Sequence, residues 1–192
     1  MSNTGNKRLI YMLLSAMFLA LALVMPFLTG QVPQIGSMLL PMHIPIMLCG
    51  LICGWQYGLA VGVIAPLLRT AIFSMPVLYP MSIAMSFELA TYGFVIGLLY
   101  NASQKQTLYT LYRSMICAMF SGRVVWGLSM LVLMSVGSDR FTISAFLGGS
   151  FLNAIPGIVL QLILIPAVML LLHKTHLVRF KKGESTNGNS NE

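Results

Sequence analysis

Two ionisable side chains stand well inside apolar stretches of the 192-residue sequence, Glu88 in MSFELATYG and Arg123 in FSGRVVWGL. A charge at the centre of a bilayer costs roughly 2.5–3.5 kcal/mol on insertion scales, so such residues turn inward and find partners. Two chemistries follow. One is a Glu88–Arg123 bridge holding two helices together; the other is a polar cavity, open to the outside, that one or both of them line. Counted from the outer ends of their helices at about 1.5 Å per residue, Glu88 lies roughly 10 Å deep and Arg123 about 20 Å. Direct pairing therefore requires side-chain reach or helix tilt.

Three further polar residues bear on a site. Asn153 and Gln161 lie in FLNAIPGIVLQLILIP, on nearly one face of a helix with 3.6 residues per turn. Pro156, between them, frees a backbone carbonyl, a break that membrane helices tolerate where a cavity or a neighbour satisfies the freed group. Asn153 is either a ligand contact or, like Gln161, a donor to an interhelical hydrogen bond. His43 sits between Pro41 and Pro45 in LLPMHIPIML. The two prolines predict a break between helices, leaving an outer flap that carries His43 as an interfacial loop residue or as a gate and ligand contact.

Catalytic chemistry finds no support. Cys49 and Cys53 share one apolar helix and Cys117 stands in another, a spacing that gives neither a disulfide framework nor a redox pair. No acidic or histidine partner near them in sequence suggests a metal site. A Gly-rich phosphate loop and a His-Glu-x-x-His motif are both missing. Ser86, Ser121 and Ser129 are intramembrane, but the histidines stand at the edges, which disfavours intramembrane hydrolysis. No catalytic residue, cofactor or metal is expected.

The elements that must carry these residues are apolar helices. Hydrophobic residues make up 57% of the chain and charged ones 8%, against about 25% charged in a soluble domain. Several apolar runs match the ~20 residues that cross a hydrocarbon core. A transmembrane barrel would need short alternating strands. The expected fold is all-α: a polytopic membrane protein built as a six-transmembrane-helix bundle. Its spans run from about Arg8 to Leu28, His43 to Gly54, Tyr57 to Arg69, Met81 to Tyr100, Leu108 to Val136 and Thr142 to His173. The second and third are short for a perpendicular span and so steeply placed or shielded by neighbours. The first is read as a retained helix rather than a cleaved signal, because its apolar run continues past the Ala20-Leu21-Ala22 stretch.

Six spans put both termini on one side. Lys7, Arg8, Lys105, Arg113, Lys174, Arg179, Lys181 and Lys182 fall on that side and Arg69 and Arg140 opposite, which makes both termini cytoplasmic. Residues 1–174 then form the membrane domain, and residues 175–192 a tail that is basic, then disordered. The stretch HKTHLVRFKK suits contact with anionic membrane lipid. The net charge of +7 is spread along membrane edges rather than gathered in a patch, so nucleic acid is not an expected partner. Small residues recur at four-residue spacing in Gly50/Gly54, Gly58/Gly62 and Gly93/Gly97, which predicts close helix packing. Ala16 and Ala20 repeat that spacing on the terminal helix, where the groove can instead receive a partner protein.

Six helices, the Pro-containing stretch GSMLLPMHIPIMLCGLICGWQYGLAVGVIAPLLR, the Ala-x-x-x-Ala of helix one and NAIPGIVLQLILIP in helix six together resemble the substrate-binding S-components of energy-coupling factor (ECF) vitamin transporters. The resemblance covers about Arg8 to His173. It implies a plasma-membrane protein that captures a vitamin or vitamin precursor at its outer face. Ala16 and Ala20 would dock on a scaffold transmembrane subunit driven by two ATPase subunits, and the outer loops, about Gln34 to Pro45 and Phe73 to Pro80, would act as a lid. By location, it places substrate contacts at Glu88, Tyr92, Arg123, Trp126 and Asn153, with His43 on the lid. Arg123, with His43 or Arg69 nearer the surface, would neutralise a carboxylate, which favours pantothenate. Riboflavin, folate, pyridoxine-like compounds or pyrimidine precursors stay open, since Tyr79, Tyr92 and Trp126 offer rings for stacking. Two other classes stay open as well: a stand-alone secondary transporter, for which only Glu88 supplies a midplane carboxylate, and an intramembrane enzyme.

Overall fold

The computed structural model describes residues 2–29, 40–103, 106–136 and 155–174. Among these residues the chain forms six α-helices and no strand. They are α1 (Ser2–Val24), α2 (His43–Cys53), α3 (Trp55–Phe73), α4 (Ile83–Ala102), α5 (Leu108–Val136) and α6 (Ile155–Lys174). Five helical stretches are long and apolar enough to cross a membrane: Lys7–Phe27, Trp55–Phe73, Leu78–Ala102, Leu108–Ser135 and Ile155–Leu172. Side chains such as Leu13, Ile64, Phe120 and Ile163 stand exposed around the outside of the bundle, as a surface solvated by lipid allows. Residues 137–154, which hold the expected start of the sixth span, and the tail 175–192 lie outside the described residues.

The centre of the bundle is a knot of glycines. The chain turns from α2 into α3 at Gly54, whose φ of 102° belongs to backbone that L side chains rarely adopt. That corner folds α2 and α3 into an antiparallel hairpin so close that a Cβ on Gly58 would lie 2.7 Å from the Gly50 Cα. α4 then packs antiparallel to α3 across the same seam. A Cβ on Gly62 would lie 2.5 Å from the Leu89 carbonyl oxygen, one on Gly97 would meet the Trp55 backbone at 2.7 Å, and one on Gly93 would overlap the Gly58 carbonyl. The paired small residues of the sequence are thus spent inside one bundle. Gly93→Val is expected to lower the thermal unfolding midpoint of the purified protein sharply, with a cost of about 3 kcal/mol or more, since backbone rather than a movable side chain stands in the way.

α2 is an apolar helix of only 11 residues. At about 1.5 Å per residue it is roughly 16 Å long, half of a ~30 Å hydrocarbon core. It nevertheless exposes almost nothing, because α1, α3, α4 and α6 all touch it. The expected loop position of His43 is corrected here, while residues 34–39 of the expected outer flap lie outside the described residues. His43 is the first residue of α2, its amide donating to the Leu40 carbonyl at 3.1 Å, and it is buried. Pro45 stands in the first helical turn, where backbone N–H groups have no intrahelical acceptor and a missing one costs nothing.

A second correction concerns the end of α3, which continues through Thr70 to Phe73 rather than stopping at Arg69. It terminates at Ser74, in the left-handed conformation (φ 57°), whose amide donates to the Thr70 carbonyl at 2.9 Å. The connection to α4 holds two cis bonds, Met75–Pro76 and Tyr79–Pro80, and ends in the short turn Leu78–Ser82. It is pinned by the hydroxyls of Thr70 and Ser82, 2.9 Å apart. Thr70 reaches the carbonyls of Pro66 and Pro76 at 3.0 and 2.9 Å, and Ser82 reaches that of Pro66 at 3.2 Å.

Candidate functional site

The repeat of small and apolar residues along α5 sets the geometry of the site. Leu111, Met115, Ala118, Met119, Gly122, Arg123 and Met130 are buried while Ile116, Phe120, Val124 and Leu128 are exposed. Arg123 therefore points into the bundle as part of a continuous inward stripe. Glu88 lies on the matching stripe of α4 with Leu89, Tyr92 and Ile96. The two charges meet: Arg123 Nη1 is 3.1 Å from Glu88 Oε1, and His43 Nε2 approaches the same oxygen at 3.5 Å. The side chains of His43, Glu88 and Arg123 are 1, 3 and 6% exposed, so the cluster is desolvated by protein on every side.

The depth mismatch expected from the sequence vanishes for a physical reason. α5 has 29 residues, about 43 Å of helix, and from the level of the pair it runs on for 13 residues to Val136, whereas α4 has only 5 between Glu88 and its start at Ile83. Depth counted from the Val136 end is overestimated for Arg123. Counted from the corner end, Glu88 stands about 14 residues from Ala102 and Arg123 about 15 from Leu108, so both lie ~21–22 Å along.

Tyr92 forms the floor of the cluster. One turn from Glu88 on α4, its ring meets His43 edge to face, with centroids 4.9 Å apart at 78°. Its hydroxyl donates to the Met119 carbonyl at 3.4 Å, and a Cβ on Gly122 would touch its ring at 2.7–3.0 Å. Tyr92 is thus wedged into α5 and 1% exposed. It orients His43 and offers no free face for a flat ring to stack upon.

Hydrogen bonding in the cluster is incomplete. Arg123 Nε and Nη2, both ring nitrogens of His43 and Glu88 Oε1 are buried without a hydrogen-bond partner. Nε and Nη2 form one edge of the guanidinium, with two parallel N–H bonds in the geometry that takes a carboxylate side-on. Buried groups of this kind are nearly always partnered in folded proteins. The arrangement leaves that edge of the guanidinium unpartnered, with Glu88 beside the remaining nitrogen.

The other sequence candidates fall elsewhere. Trp126 is half-buried on α5, about one turn from Arg123 on the side away from the corner, and Asn153 lies outside the described residues. Ala16 and Ala20 are exposed on α1, whose span is 17% buried, the least of the five. Arg69 is buried, with its guanidinium 6.0 Å from the Phe27 ring centroid and Nη1 unpartnered. Tyr79, at the surface, donates its hydroxyl to the Leu133 carbonyl and straps the loop to α5. Cys49 and Cys53 are buried, Cys117 is exposed, and all three are free thiols. Among the described residues no three His, Cys, Asp or Glu side chains converge.

A bundle of apolar helices closed around a buried polar cluster defines an integral membrane protein. The family described as ECF transporter, substrate-specific component, matches residues 10–169, and the chain belongs to that family. No curated protein and no solved structure matches it. Membership makes the chain the substrate-binding part of a transporter that works with scaffold and ATPase subunits; it is not an enzyme family.

Proposed function

We propose that this component captures a vitamin or precursor carrying a carboxylate, pantothenate before others, from the outer face of the plasma membrane for ATP-driven uptake. The observation that carries the reading is the intact Nε–Nη2 edge of Arg123, buried beside Glu88 and without a partner. Two parallel charge-assisted hydrogen bonds fit a carboxylate there, while Glu88 and His43 fix the guanidinium in advance so that little side-chain entropy is lost on binding. Trp126, toward the outer end of α5, is assigned to the wall above the fork, and Asn153 is kept as a proposed substrate contact.

The topology in this reading has both termini in the cytoplasm, supported by Lys7, Arg8, Arg113 and Lys174 at one end of the bundle and Arg69 at the other. The Phe73–Pro80 connection then lies outside as part of the lid. Docking on the scaffold, with two ATPase subunits behind it, is assigned to the exposed Ala16 and Ala20.

A panel of vitamins added to the purified protein tests the substrate. At 100 times its dissociation constant a ligand that binds only the native state adds about 2.7 kcal/mol of stability. Pantothenate is expected to raise the unfolding midpoint clearly, and pantothenol, which lacks the carboxylate, to raise it far less. A shift produced by riboflavin and not by pantothenate would replace the carboxylate reading with a flat-ring one.

A further inference from the structure

Gln161 reads from the sequence as a donor to an interhelical hydrogen bond, yet its amide nitrogen has no partner although the residue is 1% exposed. Leaving such a donor unsatisfied in apolar surroundings costs about 1–3 kcal/mol, so its position needs a reason. Gly157, Gln161, Ile165 and Met169 lie buried on one stripe of α6, each a turn from the last, with Pro166 buried beside Ile165. Ile165 and Met169 belong to the same core as Met47, Tyr92 and Met115. Gln161 therefore faces the inside of the bundle and not lipid.

The helices around it close a ring: α2 touches α4, α4 touches α5, α5 touches α6 and α6 touches α2. Each carries a buried side chain with an amide, imidazole or charged group: His43, Glu88, Arg123 and Gln161. α6 runs back from the far side toward the corner end. About 13 residues separate Gln161 from Lys174, a helical distance of ~20 Å, similar to that of Glu88 from Ala102 and of Arg123 from Leu108. One turn farther out stands Gly157, which has no side chain to cover the amide from that direction.

Three unpartnered groups of these helices are donors: Arg123 Nε and Nη2 and Gln161 Nε2. They call for a molecule rich in acceptors, and the amide, being neutral, suits a neutral one. We propose that Gln161 is a specificity-determining residue of the substrate site, donating its amide N–H to a carbonyl or hydroxyl oxygen of the same molecule whose carboxylate Arg123 holds. The inference rests on the reading of this polar layer as the substrate site. It assigns the ligand two ends, one anionic and one neutral.

Titration of the full-length purified protein with pantothenate and with pantothenol separates the two ends. Gln161→Leu, with Gln161→Met as a longer replacement should leucine disturb packing, is expected to weaken both probes by the same factor, roughly 10-fold. Arg123→Ala is expected to weaken pantothenate alone, removing the preference for it. The unfolding midpoint of the ligand-free Gln161 variants, held at or above that of wild type, marks their loss as one of contact and not of folding. Unchanged affinity for both probes in a folded Gln161 variant overturns the inference while leaving the Arg123 reading intact. A change confined to pantothenate overturns it too, by placing Gln161 at the carboxylate. Wild-type protein that titrates with neither probe removes the reading beneath the inference, and the inference with it.

Discussion

Arg123→Ala is expected to cut pantothenate affinity at least 100-fold and, in the same protein, to lower stability. The affinity loss follows from deleting two hydrogen bonds to a charged group, each contributing about 1.5–3 kcal/mol, where 1.4 kcal/mol is tenfold. The stability loss, about 3–5 kcal/mol, follows from leaving Glu88 charged, buried and deprived of its cation, since His43 approaches only to 3.5 Å. One variant thus disturbs two properties. A paired substitution separates them: Glu88→Gln with Arg123→Met removes both charges while nearly conserving volume. Replacing a buried ion pair by neutral groups of like size is often neutral or stabilising, so the double variant is expected to regain the wild-type unfolding midpoint and still fail to bind. Binding by the double variant at wild-type affinity, in a direct titration, would reduce the pair to a structural bridge and remove Arg123 from the site.

What the sequence discloses about this site depends on how many conformations satisfy the same local pattern. Glu88 and Arg123 were legible because a charge in an apolar helix has few tolerable surroundings, all of them internal. The glycine pairs were legible for a similar reason, as four-residue spacing leaves a groove that another backbone fills, and here Gly58 and Gly93 fill each other's. His43 was not. A proline in the first turn of a helix and a proline that breaks one look alike in the string, and only the burial of α2 by four neighbours decides between them. The depth of Arg123 was hidden by the length of α5, which runs farther past the Glu88–Arg123 contact than α4 does. Gln161 reads as one more interhelical donor because periodicity gives its face but not its partners. The substrate is the least legible of all: an arginine fork specifies a carboxylate, and many vitamins carry one.

Ala16→Trp together with Ala20→Trp is expected to abolish uptake and spare substrate binding. Both alanines are exposed on α1, on the side opposite the buried Phe18 and Ala22, and the span they belong to is the least buried of the five. Indole rings there meet lipid in the free component, where a large apolar side chain is tolerated, so the buried cluster of His43, Glu88 and Arg123 is not disturbed. Against a helix of the scaffold the same rings occupy the groove that lets two backbones approach, and close approach is the main source of helix association where lipid removes the hydrophobic driving force. Uptake of labelled pantothenate by cells carrying the scaffold and ATPase subunits is expected to fall at least tenfold, to near background. The variant purified alone should titrate like wild type. Ile163→Trp, on the lipid-facing side of α6, serves as the control that keeps both activities. Loss of binding in the alanine variants would show that the groove is packed within the component itself. Normal uptake would move the docking surface off α1, and the remaining exposed faces of α3 and α5 would then be the ones to probe.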